Sequence, residues 1–166
     1  LEGTIPHAVK RERMGRLVEA VQRIATERSQ RFVGRTMEVL VEAGAQACRS
    51  VADVAVNAEI IFIMVSDTPD GENIVHGETG LAQRLRPGQV IVDMSTISPA
   101  STRRLAQELE THGVEMLDAP VSGGEIGAIN ANLSIMVGGK EKTFLRVKPL
   151  FNVLGKNVVH VGDHGA

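Results

Sequence analysis

From Ala43 onward, short apolar runs alternate with stretches that open on a helix cap and repeat apolar residues every three or four positions. This alternation limits the fold more than any other feature. A strand that is apolar throughout needs cover on both faces, and helices crossing between parallel strands supply that cover. The reading is therefore α/β, a mostly parallel sheet with flanking helices.

Taken in order, Ser50-Val-Ala-Asp53 is a capping box that opens a short helix, and Ile60 to Val65 is a continuous apolar run, expected to be a central strand covered on both faces. Thr68-Pro69 starts a second helix by the cap-then-proline rule, Gly77 closes it, and Gln89 to Asp93 is the next strand. Ser98-Pro99 repeats the device. That helix carries Leu105 and Leu109 inward and stops at Gly113, and Glu115 to Asp118 follows as a strand. Leu133 to Val137 is a strand ending at Gly138-Gly139. Phe144, Val147, Leu150, Phe151 and Leu154 mark a helical face interrupted at Pro149, which reads as two short helices meeting there. Val158 to Val161 is the last strand.

The first forty residues differ in character. A helix is expected to start near Pro6 and run over 6–29, with Met14, Leu17, Val18, Val21, Ile24 and Ala25 along one stripe. Arg35 to Val41 alternates well enough for a short strand, with helix as the other reading. Charge changes at the same place: Leu1 to Val41 carries a net +3, and the remainder −5. Such asymmetry marks either a solvated helix face or a basic arm that meets nucleic acid.

Composition removes several classes of function. Cys48 is the only cysteine, so an internal disulfide and a cysteine-rich metal site are excluded, and it reads as a buried small hydrophobe. With four Phe and no Trp or Tyr, few surfaces are left for stacking unpaired bases, which disfavours nucleic acid as a partner. No apolar run approaches the roughly 18–20 residues that cross a bilayer, and Leu1 to Lys10 lacks the layout of a signal peptide; a cytoplasmic protein is expected. His7, His76, His112, His160 and His164 show no metal-ligand spacing and read as surface or helix-end residues.

In an open parallel sheet, ligands bind beyond the carboxyl ends of the strands. Three such edges combine small or hydroxyl residues with a following helix start: Met64 to Asp67, Asp93 to Pro99, and Asp118 to Glu125. At Ser122-Gly123-Gly124 a carboxylate or phosphate can reach the backbone, although a tight turn with a cap explains the same residues. Ser98 reads as a helix cap, whereas Thr96 has less structural reason to be there. Asp93 and Asp118 read as turn caps rather than acids of a cleft. The G-x-G-x-x-G fingerprint of dinucleotide binding is not found in these residues.

At these strand ends the sequence resembles the 3-hydroxyacid dehydrogenase family, of the tartronate semialdehyde reductase and 3-hydroxyisobutyrate dehydrogenase type. The resemblance is carried by Phe62-Ile-Met-Val-Ser-Asp-Thr-Pro-Asp70, Val92-Asp-Met-Ser-Thr-Ile-Ser-Pro99, Leu117-Asp-Ala-Pro-Val-Ser-Gly-Gly-Glu-Ile-Gly-Ala128, Leu133-Ser-Ile-Met-Val-Gly-Gly139 and Val147-Lys-Pro-Leu-Phe151. It implies a Rossmann-like domain over 42–166 in which Met64, Val65, Ser66 and Thr96 contact NADP or NAD, while Ser122, Gly123 and Gly124 hold the carboxylate of a small 3-hydroxyacid or semialdehyde. Hydride would pass to the aldehyde carbon and a lysine would protonate the alkoxide. That lysine belongs to a G-x-x-x-K motif just beyond the position of Ala166, and Lys140, Lys142, Lys148 and Lys156 do not match it. No catalytic residue and no metal ligand is assigned here, and the expectation is a partial cofactor domain without turnover of its own.

Residues 1–41 resemble something else: the C-terminal part of radical-SAM tRNA methylthiotransferases, on Val9-Lys-Arg-Glu-Arg13, Ile24-Ala-Thr-Glu-Arg-Ser-Gln30 and Val33-Gly-Arg-Thr-Met-Glu-Val-Leu-Val41. A join between Glu42 and Gly44 accounts for the change of charge and of pattern together. The long N-terminal helix and short strand would then stand in place of the first βαβ fingerprint unit. Competing readings are an RNA-associated module built on Arg11, Arg13 and Arg16, and a folded remnant without function. An uncovered sheet edge would favour self-association.

Overall fold

The computed structural model describes residues 47–165, which lie in the second of two compact units, Gln46–Ala166. The helix over 6–29 and the strand over 35–41, and the substitution of the first βαβ unit that they would make, fall outside the described residues. Within these, the order is α1 (Val51–Asn57), β1 (Ile60–Ile63), α2 (Thr68–His76), a 3₁₀ turn (Leu81–Gln83), β2 (Val90–Asp93), α3 (Pro99–Thr111), β3 (Glu115–Asp118), β4 (Val121–Ser122), α4 (Gly124–Ile129), β5 (Leu133–Gly139), α5 (Glu141–Leu154) and β6 (Gly155–Gly162).

The helix starts follow from local chemistry. Ser50 Oγ accepts from the Asp53 N–H and caps α1, satisfying one of the donors that a helix N-terminus leaves unpaired. Asp67, one residue before the predicted cap, does the same for α2 by accepting from Asp70 N–H at 3.1 Å, with Pro69 in the first turn. Ser98 occupies the cap position of α3, but its hydroxyl closes no bond there. Gly113, at φ 70°, ends the turn after α3 and packs so closely on Pro87 that a Cβ would lie 3.1 Å from the proline ring.

β1, β2 and β3 run parallel, with Ile63, Asp93 and Asp118 in register. β5 then runs antiparallel to β3 and β4, and β6 parallel to β5. Alternate side chains of the strands feed two cores. On one face Ile61, Ile63, Ile91 and Met116 pack under α1, α2 and α3 with Val75, Leu105 and Leu109. On the other Val90, Val92, Leu117, Ile135 and Val137 meet Phe144, Val147 and Phe151 of α5. Burial of this apolar surface, at about 25 cal/mol per Å², is the main force holding the three layers together.

Three sequence expectations need correction. The strand covered on both faces is β2, whose four residues are all buried; β1 stops at Ile63 and leaves Phe62 39% exposed. Among the described residues β1 pairs on one side only, and α5 centres on β3, β5 and β6. α5 is one continuous helix through Pro149 rather than two short ones. The proline lies on the solvent side and Leu145, whose carbonyl loses its partner, is 57% exposed, so water can satisfy it. Cys48 is exposed, in the segment that precedes α1, the first of the described helices.

Candidate functional site

The parallel register brings the ends of three strands to one edge, and backbone bonds carry the pairing slightly beyond it. Met94 N–H donates to Ile63 O at 2.8 Å, and Ala119 N–H to Asp93 O at 2.6 Å. The loops after β1 and β2 are then joined by side chains. Val65 N–H donates to Ser95 Oγ at 2.9 Å, Ser98 N–H donates to Thr68 Oγ1 at 3.0 Å, and Arg104 pairs with Glu72 further out. Met64, Val65, Ser66 and Thr96 are thereby brought together. Met64 is 66% exposed, Ser66 and Thr96 are exposed and Val65 is half-buried. An exposed thioether and hydroxyls set over these bonds offer both apolar and hydrogen-bonding contacts on one surface.

Beneath this surface lie two buried carboxylates, Asp93 and Asp118, 2% and 4% exposed, side by side on the helix-covered face where α2 and α3 begin. Asp93 Oδ1 accepts from Ser95 N–H at 2.9 Å. Burial raises Asp93 above the ordinary carboxylate range; the bonds from Ser95 pull it back, and the Asp118 charge adds to the rise. Asp118 accepts from Gly165 N–H on both oxygens, at 3.2 and 3.1 Å. Gly138 is cut to fit it, since a Cβ there would lie 2.8 Å from Asp118 Oδ2. The reading of an acid that caps the turn after its strand agrees with the Asp93 bond to Ser95. Asp118, however, holds the segment after β6, far along the chain.

Ser122, Gly123 and Gly124 reach the same end of the sheet by a different route. Leu117 pairs with Gly139, Asp118 with Gly138, Val121 with Ile135 and Ser122 with Ser134, and Met136 N–H donates to Pro120 O. β3 and β4 are thus one line along β5, interrupted only at Ala119-Pro120, and this line carries Ser122 four residues past Asp118. Gly123 (φ 136°) and Gly124 (φ 58°) take conformations that favour glycine, and nothing stands within 4 Å of where a Gly124 Cβ would be. A small cleft of about 50 Å³ between these regions is lined by Ser95, Thr96, Asp118, Pro120 and Gly165 among others; Ser122 to Gly124 lie outside its lining.

Reading the sequence missed Ser95 and Gly165. Ser95 had a signal: two residues after Asp93 on an alternating strand end, it shares the buried side while Thr96 takes the exposed one. Gly165 had none, because its partner is 47 residues away. His76 and His112 are exposed at helix ends, as expected, whereas His160 and His164 are half-buried, their ring nitrogens bound to Gly139 O at 2.7 Å and Met116 O at 2.9 Å. Among the described residues no cluster of His, Cys, Asp and Glu could hold a metal, and no helix is long and apolar enough to cross a membrane.

With this geometry in hand, comparison with known proteins is specific. Residues 18–162 match the family described as the NAD binding domain of 6-phosphogluconate dehydrogenase. The chain belongs to this family. It is similar to 3-hydroxyacid dehydrogenases: it is 49% identical over 133 residues to 2-hydroxy-3-oxopropionate reductase of Escherichia coli, covering 80% of this chain and 46% of that one. It is also similar to Mycobacterium tuberculosis 3-hydroxyisobutyrate dehydrogenase solved with L-serine (TM-score 0.65, 35% identity, 72% of this chain and 40% of that one). A protein named Psf3, solved with NADP+ and 2-OPP, gives a TM-score of 0.70 at 27% identity, over 74% of this chain and 43% of that one. The chain spans under half the length of these relatives.

Proposed function

We propose that this chain is the NADP- or NAD-binding part of a dehydrogenase acting on a small 3-hydroxyacid or its semialdehyde, of the tartronate semialdehyde type. Met64, Val65, Ser66 and Thr96 form the cofactor edge, and Ser122, Gly123 and Gly124 receive the substrate carboxylate. The observation that carries this reading is the joining of the β1 and β2 loops through Val65 and Ser95, which sets four residues of one expected function side by side. The chemistry of the surface fits such a cofactor: an exposed hydroxyl and thioether over buried carboxylates suit a neutral ribose and ring better than a phosphate. When bound, the cofactor supplies the hydride. This chain's residues bind and orient it, the Thr96 hydroxyl bonds it, and the glycines at 123 and 124 leave the backbone open to an anion. No described residue is assigned proton transfer, so the chain by itself is expected to bind without turnover.

The test is titration of the purified chain with NADH and with NADPH by calorimetry, repeated on Thr96→Ala. Saturable binding that weakens by roughly tenfold on loss of the hydroxyl, the upper range for one hydrogen bond, supports the reading. Absence of binding at millimolar cofactor rejects it.

A further inference from the structure

The loops that carry the proposed cofactor contacts leave different strands, and each is exposed on its outer side. What fixes them relative to one another is therefore decided below the surface. Three links join the loops themselves, inside the Arg104–Glu72 pair between the helices that follow them. The Met94 to Ile63 backbone bond holds their base, and the Thr68 hydroxyl receives Ser98 N–H at their far, exposed end. Only Ser95 acts in the middle, at the level of Val65 and Thr96. Its side chain is buried, with the residue 3% exposed. Its Oγ takes the Val65 N–H at 2.9 Å, and its own N–H is held by Asp93 Oδ1 at 2.9 Å. A continuous polar path thus runs from β2 through Ser95 to the loop after β1.

We propose that Ser95 is a positioning residue for cofactor binding: it locks the Met64 to Ser66 loop and Thr96 into one surface before the ligand arrives. This rests on the reading of those four residues as cofactor contacts. Because Ser95 points inward, its neighbour Thr96 points outward, so fixing one aims the other. A surface assembled in advance spares the ligand the ordering cost of two loops. Without the hydroxyl, Val65 N–H loses its partner and the loops are free to shift apart, although the fold stays held by the other two links.

The experiment titrates NADH and NADPH into the wild-type chain, Ser95→Ala, Ser95→Thr and Thr68→Val, and follows amide exchange at Val65. Ser95→Ala is expected to weaken binding about fivefold, the worth of one net hydrogen bond, and to speed exchange at Val65. Ser95→Thr keeps the acceptor and should restore both. Thr68→Val removes a loop link of the same kind but away from the edge, and should leave affinity unchanged. If Ser95→Ala does not fold, Ser95→Cys, with its weaker acceptor, is used in its place, with the same expected direction. Wild-type affinity in Ser95→Ala, no recovery in Ser95→Thr, or an equal loss in Thr68→Val overturns the inference alone. Absence of binding by the wild-type chain overturns the functional reading and this inference with it, so the two failures are told apart.

Discussion

At the scale of single residues, the informative positions are buried polar groups at a strand edge. Asp93 is raised above its ordinary value chiefly by burial. The sign of the consequence follows from linkage: a carboxyl whose folded value exceeds its unfolded one binds its proton more tightly in the folded state. The stability it contributes is complete below the ordinary value of 3.8 and is lost as pH climbs through the raised value. Asp93→Asn keeps an oxygen for the Ser95 N–H and carries no titratable proton. Urea unfolding across acid to neutral pH should therefore show the variant losing less stability than the wild type as pH rises; equal slopes would sink the assignment. The sequence announced Asp93 as a cap and Thr96 as a ligand candidate. Ser95 shows its role only when the β1 loop is beside it, thirty residues away along the chain.

At the scale of elements, caps and prolines mark starts well and interruptions poorly. The cap-and-proline pairs before α2 and α3 placed both helices within a residue or so, because a helix N-terminus needs its unpaired N–H groups satisfied locally. Pro149 misled, because whether a proline breaks a helix depends on where the freed carbonyl points, and that is a tertiary fact. Pro149→Ala restores the N–H to Leu145 O in a helix that is already continuous through this position. It should stabilise the chain by about 2 kcal/mol, the interior proline cost less the entropy regained by the unfolded chain. A thermal melt that shows no rise would mean the surrounding helix has already absorbed the cost. For β1, the apolar run read correctly as a strand, but the exposed Phe62 shows that it is not covered on both faces. Composition records how many apolar residues a strand has, whereas neighbours decide how many faces are covered.

At the scale of the whole domain, alternation alone gave the α/β class and pointed to the strand edge where the candidate site is proposed, since both depend on order along the chain. The antiparallel turn of β5 was not legible, because strand direction leaves no mark on composition. If the edge binds cofactor, ligand binding and folding are one equilibrium: cofactor at about a hundred times its dissociation constant should add about 2.7 kcal/mol to stability. Thermal melts with NADH and NADPH in parallel should show the rise and reveal which cofactor gives the larger one; no rise with either argues against the edge. The shared register of β3 and β4 along β5 has a further consequence. Ser122 and Ser134 close a hairpin whose two feet are pinned to fixed rungs, and a slip of one rung would turn Ser122 to the opposite face. What lies between the feet, α4 and its turn, stands apart from the loops after β1 and β2, so its length and chemistry should change without disturbing the proposed cofactor edge. The domain is thereby divided into a frame that must keep time and an insert that can be rewritten, and if Ser122 to Gly124 receive the substrate as proposed, a change of substrate belongs in the insert.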